Sequence, residues 1–185
     1  MPVEYFDQAW ERTGRAEGGY SNNPADPGGE TMWGITARVA RARGYLGPMR
    51  DLPRDVARNI AKSEYWDPLS LDAVAKVSPP IALELFDTNF NFYAGAAAKF
   101  LQRSLNALNR DGRDWPDLAV DGHLGPLSVF CLAALIRIRG ADGDRVMRRC
   151  LNALQLADYM RQVEQVPGKE AFFFGWVLNR VTMDA

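Results

Sequence analysis

The stretch Arg15-Ala16-Glu17-Gly18-Gly19-Tyr20-Ser21-Asn22-Asn23-Pro24-Ala25-Asp26-Pro27-Gly28-Gly29-Glu30-Thr31 joins a helix with an apolar stripe to a loop dense in turn residues. Upstream, Phe6, Trp10 and Thr13 recur at steps of four and three, so they share one helix face, and the next step of four reaches Glu17. A carboxyl group there is disfavoured in its charged form twice over, by burial and by the partial negative charge of a helix C-terminus. The raised pKa that follows suits a proton donor working near neutral pH. The competing reading is a solvated glutamate flanking the helix.

The residues after Glu17 favour the first reading. Gly18 and Gly19 supply a helix stop, and Asn22-Asn23-Pro24, Asp26-Pro27 and Gly28-Gly29 are successive turn signals that fold the chain back on itself. Such a loop can bring a second carboxylate opposite the first. Asp26 is the candidate, nine residues on, with Glu30 and Thr31 just beyond it. Asp26 also has a structural reading, as an Asx-turn residue before Pro27.

The rest of the chain reads as mainly helical. Met32 to Ile35 form a short strand, Thr36 caps a helix over 36–43 and Gly44 ends it. A helix over 53–65 turns Val56, Ala57, Ile60 and Ala61 inward. Pro79-Pro80 opens an apolar segment through Ile81, Leu83, Leu85 and Phe86 that reads as the central buried helix. Further helices are expected over 94–108, over 126–138 and from 142 or 144 to 165. Pro167-Gly168 then precede a last helix holding Phe172, Phe173, Phe174 and Trp176, a cluster better suited to a core than to a sugar cleft.

Composition bounds the function. The chain has 185 residues, 47% of them hydrophobic, enough for a core as one domain or two packed lobes. A formal net charge of -1 gives no general attraction to nucleic acid. Arg38, Arg41, Arg43, Arg50, Arg54 and Arg58 are locally dense, which reads first as a solvated helix face and second as a patch for substrate carboxylates. Cys131, Cys150 and the single His123 are too few and too scattered for a ligand set, so neither a metal nor another cofactor is expected. Both thiols read as buried, and the sequence leaves open whether they pair. No segment is apolar for long enough to cross a membrane, and Met1-Pro2-Val3-Glu4 lacks the features of a signal peptide, so synthesis in the cytoplasm is expected.

The runs Glu17-Gly18-Gly19-Tyr20, Asn23-Pro24-Ala25-Asp26-Pro27-Gly28-Gly29 and Gly34-Ile35-Thr36 resemble the N-terminal signature of the N-acetylmuramidases of glycoside hydrolase family 108. That family holds phage and prophage endolysins and secretion-activating proteins. The resemblance continues through Tyr65-Trp66-Asp67-Pro68, Leu85-Phe86-Asp87, Asn91 and Leu101-Gln102-Arg103-Ser104-Leu105-Asn106. It ends with Val120-Asp121-Gly122-His123-Leu124-Gly125-Pro126 and Gly175-Trp176-Val177-Leu178-Asn179-Arg180. It departs from the family at Met32-Trp33 and Phe92-Tyr93, which bears on subsite shape.

The resemblance implies a mainly α, lysozyme-like fold with a short β element after the first helix. It implies a catalytic region over 1–93 and a predicted peptidoglycan-binding region over 94–185. The implied reaction is cleavage of the β-1,4 bond between N-acetylmuramic acid and N-acetylglucosamine, with Glu17 as catalytic acid. The order Glu17, Asp26, Thr31, Gly34-Ile35 is also similar to lysozymes of the T-even phages, which carries Asp26 and Thr31 into the site. Tyr20, Trp33, Thr36 and Asn91 are the expected substrate-binding residues, Trp33 by stacking on a sugar. The expected partner is peptidoglycan, reached with the help of a holin or a secretion apparatus so that the protein acts in the periplasm or cell wall; a monomer is expected. A lytic transglycosylase and a non-catalytic wall-binding or phage structural protein are the alternatives.

Overall fold

The computed structural model describes residues 5–16, 19–22 and 29–181, without the side chains of residues 14–16. Glu17 and Asp26 lie outside the described residues. The chain divides into two compact units, residues 1–68 and 69–185.

The first unit opens with α1 (Tyr5–Ala16). Phe6, Trp10 and Thr13 are each no more than 3% exposed, as the stripe requires. The single strand expected over Met32 to Ile35 is instead a hairpin. β1 (Thr31–Met32) and β2 (Ile35–Thr36) pair antiparallel, Thr31 opposite Thr36 and Met32 opposite Ile35. Trp33 and Gly34 form the two-residue turn with φ of 55° and 75°, the left-handed pair that a tight hairpin requires. Glycine meets that demand freely; tryptophan does so at a steric cost.

Thr36 then caps α2 (Ala37–Ala42), its hydroxyl accepting from the Val39 N–H at 3.4 Å. The helix expected over 53–65 is regular only as α3 (Arg54–Ala61), after which Lys62–Trp66 widen into one π turn. That turn delivers Trp66 to full burial, where its ring meets Phe6 edge-on at 5.5 Å.

The second unit is a helical bundle of α4 (Leu71–Val77), α5 (Pro79–Asn91), α6 (Ala96–Leu108), α7 (Pro126–Gln165) and α8 (Glu170–Arg180). The short α4 was not expected from sequence. The two helices expected between residues 126 and 165 run on as α7 across a kink at Gly140, whose φ of 57° and ψ of -139° no helix contains. Both thiols are free, with Cys131 buried and Cys150 half-buried.

α5 packs against α4, α6 and α7. Ile81, Ala82, Glu84, Leu85, Phe86, Thr88 and Asn89 are all buried, so the helix has polar groups that must find partners inside the protein. Gln155 of α7, itself fully buried, donates from Nε2 to Glu84 Oε1 at 2.7 Å and to Thr88 Oγ1 at 2.6 Å. Ser78 caps the start of α5 by accepting from the Ile81 N–H, and its hydroxyl donates to Asp144 on α7.

Expectation and structure differ at the last helix. No residue of α8 is buried; Phe174 is 77% exposed and Phe172 41%. The cluster is therefore only partly a core. Trp176 stacks on Tyr159 at 5.0 Å and Phe172 on Trp176 at 6.0 Å, while Phe173 is half-buried and Phe174 faces solvent.

The turn at 121–125 is structural in its hydrogen bonding. Asp121 Oδ1 accepts from Gln102 Nε2 at 2.8 Å and from the His123 N–H at 2.9 Å, while the Gly122 N–H donates to Gln102 Oε1 at 3.1 Å. Gly122 has φ of 87°, and a Cβ there would lie 3.4 Å from Gly95 Cα, so both conformation and backbone approach call for glycine. The Gln102 bond, then the His123 N–H, hold the Asp121 carboxyl below its ordinary range. A lowered folded-state pKa contributes stability above the ordinary carboxylate pKa that is lost as pH falls through the folded value. Thermal unfolding followed from neutral to acid pH should accordingly show a shallower acid-side loss for Asp121→Asn than for wild type.

Candidate active site

Around the expected site, the described residues define its frame. The Ser21 N–H donates to Thr31 O at 2.9 Å and the Thr31 N–H to Ser21 O at 2.8 Å, an antiparallel bridge that sets Ser21 beside β1. The Ala37 N–H donates to Glu30 O at 2.8 Å, tying the start of α2 to the residue before β1.

Four of the expected site residues gather on this frame. Tyr20 donates its phenol to Glu30 Oε1 at 2.6 Å, and the Arg50 guanidinium lies over its ring at 5.0 Å. Thr31 donates its hydroxyl to Gly29 O at 3.2 Å, which leaves the oxygen as an acceptor. Trp33 Nε1 donates to Leu52 O at 3.0 Å, and Arg54 faces its ring at 5.8 Å. Thr36 uses its hydroxyl as the α2 cap. Asn91 belongs to the second unit, where Nδ2 donates to the Asp87 carbonyl at 2.9 Å.

The arginine run is neither a bare solvated face nor a free patch. Arg41 donates to the carbonyls of Tyr45 and Gly47 at 2.6 and 2.7 Å, Arg43 pairs with Glu64, Arg54 with Glu11 at 2.8 Å, and Arg58 with Asp7. These contacts link α1, α2, α3 and the loop after α2. All are substantially exposed, so each pair contributes little alone, and their common effect is to fix how the elements are placed.

Glu30, Arg50 and Arg54 are the contributors that sequence spacing underrates. Glu30 adjoins Thr31 in sequence, but only the hairpin reveals that Tyr20 binds it. Arg50 and Arg54 come from other segments, and no local periodicity links them to Tyr20 or Trp33. Tyr65 is a further case. Burial, with the neighbouring Glu64 charge second, raises its phenol pKa, while Arg38 opposes the shift. Among the described residues no cluster of side chains suits a metal ion.

A helical protein with a small hairpin beside its first helix is the class of fold found in lysozyme-like glycoside hydrolases. The chain belongs to the glycosyl hydrolase 108 family: residues 10–92 match the Glycosyl hydrolase 108 model, and residues 96–181 match the Predicted Peptidoglycan domain that follows it. The fold is similar to that in the structure of Brucella abortus SagA, with a TM-score of 0.69 and 21% sequence identity over 94% of this chain and 87% of that one. The mainly α, lysozyme-like architecture is thereby established. None of the curated proteins matches the chain. The family assignments make this a glycoside hydrolase with peptidoglycan as its ligand.

The family boundary falls between residues 92 and 96, whereas the compact units meet at 68 and 69. The helix α5, inside the hydrolase match by sequence, packs with the helices of the second unit because its buried polar groups are answered by α7.

The Trp33 turn yields a test of the frame. Asparagine adopts left-handed backbone more readily than tryptophan, a gain of about 1 kcal/mol, against the loss of one hydrogen bond worth about 1 kcal/mol. Trp33→Asn should retain the hairpin, with urea unfolding free energy within about 1 kcal/mol of wild type on that balance. Trp33→Val, a β-branched residue forced to positive φ, should be clearly less stable.

Proposed function

We propose that the protein is an N-acetylmuramidase that hydrolyses the β-1,4 bond between N-acetylmuramic acid and N-acetylglucosamine. The observation that carries this reading is the coincidence of the glycosyl hydrolase 108 match over residues 10–92 with the Ser21–Thr31 bridge. The match contains both Glu17 and Asp26, and the bridge joins the residues that precede and follow the stretch 22–30, which carries Asp26.

In this reading Glu17 protonates the glycosidic oxygen. Asp26 orders the attacking water or stabilises the oxocarbenium-like transition state, and the Thr31 oxygen adds a hydrogen-bond acceptor to that water. Tyr20, Trp33, Thr36 and Asn91 shape the substrate subsites. Residues 1–93 act as the catalytic region and residues 94–185 as the peptidoglycan-binding region. The reading takes the inverting course, for which glycosidases hold their two carboxyl groups about 6.5–9.5 Å apart to admit a water.

Among the described residues no helix is long and apolar enough to cross a membrane. We propose that the protein is made in the cytoplasm and that a holin or secretion apparatus gives it, as a monomer, access to the wall.

The central test is Glu17→Gln, which keeps size and polarity but removes the proton. General acid catalysis contributes about 10²–10⁴ in rate, and a loss of that size on purified peptidoglycan is expected. Turnover by the Gln variant within about threefold of wild type, far short of that loss, contradicts the assignment. Mass spectrometry of the products should show reducing muramic ends; anhydro ends would assign a lytic transglycosylase, and intact glycan a binder. Proton NMR of the first-formed anomer should show inversion. With Trp33→Asn, loss of the stacking ring should raise KM by about two- to tenfold with kcat little changed, in line with an aromatic contact of about 0.5–1.5 kcal/mol.

A further inference from the structure

The second unit contains a groove of about 340 Å³ between α6 and α7, outside every residue assigned to catalysis. Its apolar floor is Phe100, Leu154 and Ala157, and its polar walls come from Tyr93, Arg103 and the Asp158–Arg161 pair. The two helices present these residues by their own periodicity. Phe100 and Arg103 are three apart on α6, and Leu154, Ala157, Asp158 and Arg161 follow one face of α7.

The charges in the groove do not cancel. Asp158, only 7% exposed, accepts from Arg161 through Oδ1 and from Gln162 Nε2 through Oδ2 at 3.1 Å. Its carboxylate is thus committed to internal partners, and the bond with Asp158 strengthens the charged form of Arg161, with a smaller contribution from Tyr93. Arg103 is exposed and has no ion-pair partner among the described residues. One positive charge is left over, at the edge of a small apolar floor beside an exposed tyrosine.

We propose that this groove binds the stem peptide of peptidoglycan through one of its free carboxylates, with Arg103 as the anchoring cation and the Phe100-Leu154-Ala157 floor receiving an alanine methyl. The proposal rests on the reading of peptidoglycan as the ligand and names the part of it that the second unit takes. Charge complementarity selects the occupant: the glycan backbone is uncharged apart from the lactyl group, which the peptide caps as an amide, whereas the stem peptide carries free carboxylates. A guanidinium engages such a group with two parallel hydrogen bonds.

Calorimetric titration of the full-length protein tests this with two probes, a disaccharide tetrapeptide and the same disaccharide after enzymatic removal of the peptide. Wild type should bind the peptide-bearing probe the more tightly. Arg103→Glu should weaken that binding by about tenfold or more, the loss expected for a charged hydrogen-bonded contact, and Arg103→Lys should restore part of it. Equal affinity of wild type and Arg103→Glu for the peptide-bearing probe would overturn the proposal. Arg103-dependent binding of the bare disaccharide would overturn it too, assigning the groove to the lactyl carboxylate. Failure of the muramidase reading has a different signature: wild type would release no reducing ends from glycan chains while the two titrations still differed.

Discussion

A helix buried on nearly all sides can exist only if its polar groups are satisfied from within, and α5 imposes that constraint on the second unit. Glu84 and Thr88 on α5 meet Gln155 on α7 through two short hydrogen bonds in a region closed to water. Losing Gln155 would cost both bonds and open a cavity, so α7 is held in register with α5 by chemistry rather than by apolar contact alone. The Ser78 cap acts in the same direction, since its hydroxyl reaches Asp144 on α7. The continuation of α7 beyond the Gly140 kink serves these contacts: Asp144 and Gln155 both lie after it.

The first unit solves a different problem. Among its described residues, order beyond the helices comes from a two-strand hairpin, one β-bridge and a set of arginine contacts. Exposed ion pairs contribute little stability individually. Their geometric role is larger, because Arg43, Arg54 and Arg58 each join elements far apart in sequence. A site assembled on a loop needs such a frame, since catalytic groups tolerate only small displacements from productive geometry. The Tyr20–Glu30 bond and the Arg50 guanidinium over the Tyr20 ring reinforce the frame where the bridge closes it.

The chain matches two family regions that do not coincide with its two units: the helix that ends the hydrolase match is packed among the helices of the second unit. Division of labour along the sequence and division of packing in space are therefore different here. The groove proposed to take the stem peptide lies wholly within the second unit, formed by α6, α7 and Tyr93 from the segment that leads into α6.

Local sequence determined the elements whose rules are local. The buried stripe Phe6, Trp10 and Thr13, the Thr36 cap, the proline start of α5 and the mainly α class all follow from periodicity and capping, and the family from ordered motifs across the chain. What tertiary structure decided depends on partners distant in sequence. Trp33 is a turn residue because β1 must pair with β2, against its own backbone preference; the arginines are cross-links because Glu11, Glu64 and Asp7 come to meet them. Phe172 and Phe174 of α8 stay exposed because the ring that α7 brings to this helix, Tyr159, stacks on Trp176, and Arg103 has no ion pair among the described residues while Asp158 is committed to Arg161. Periodicity reports which face of an element is apolar; it carries no information on what another element will bring to that face.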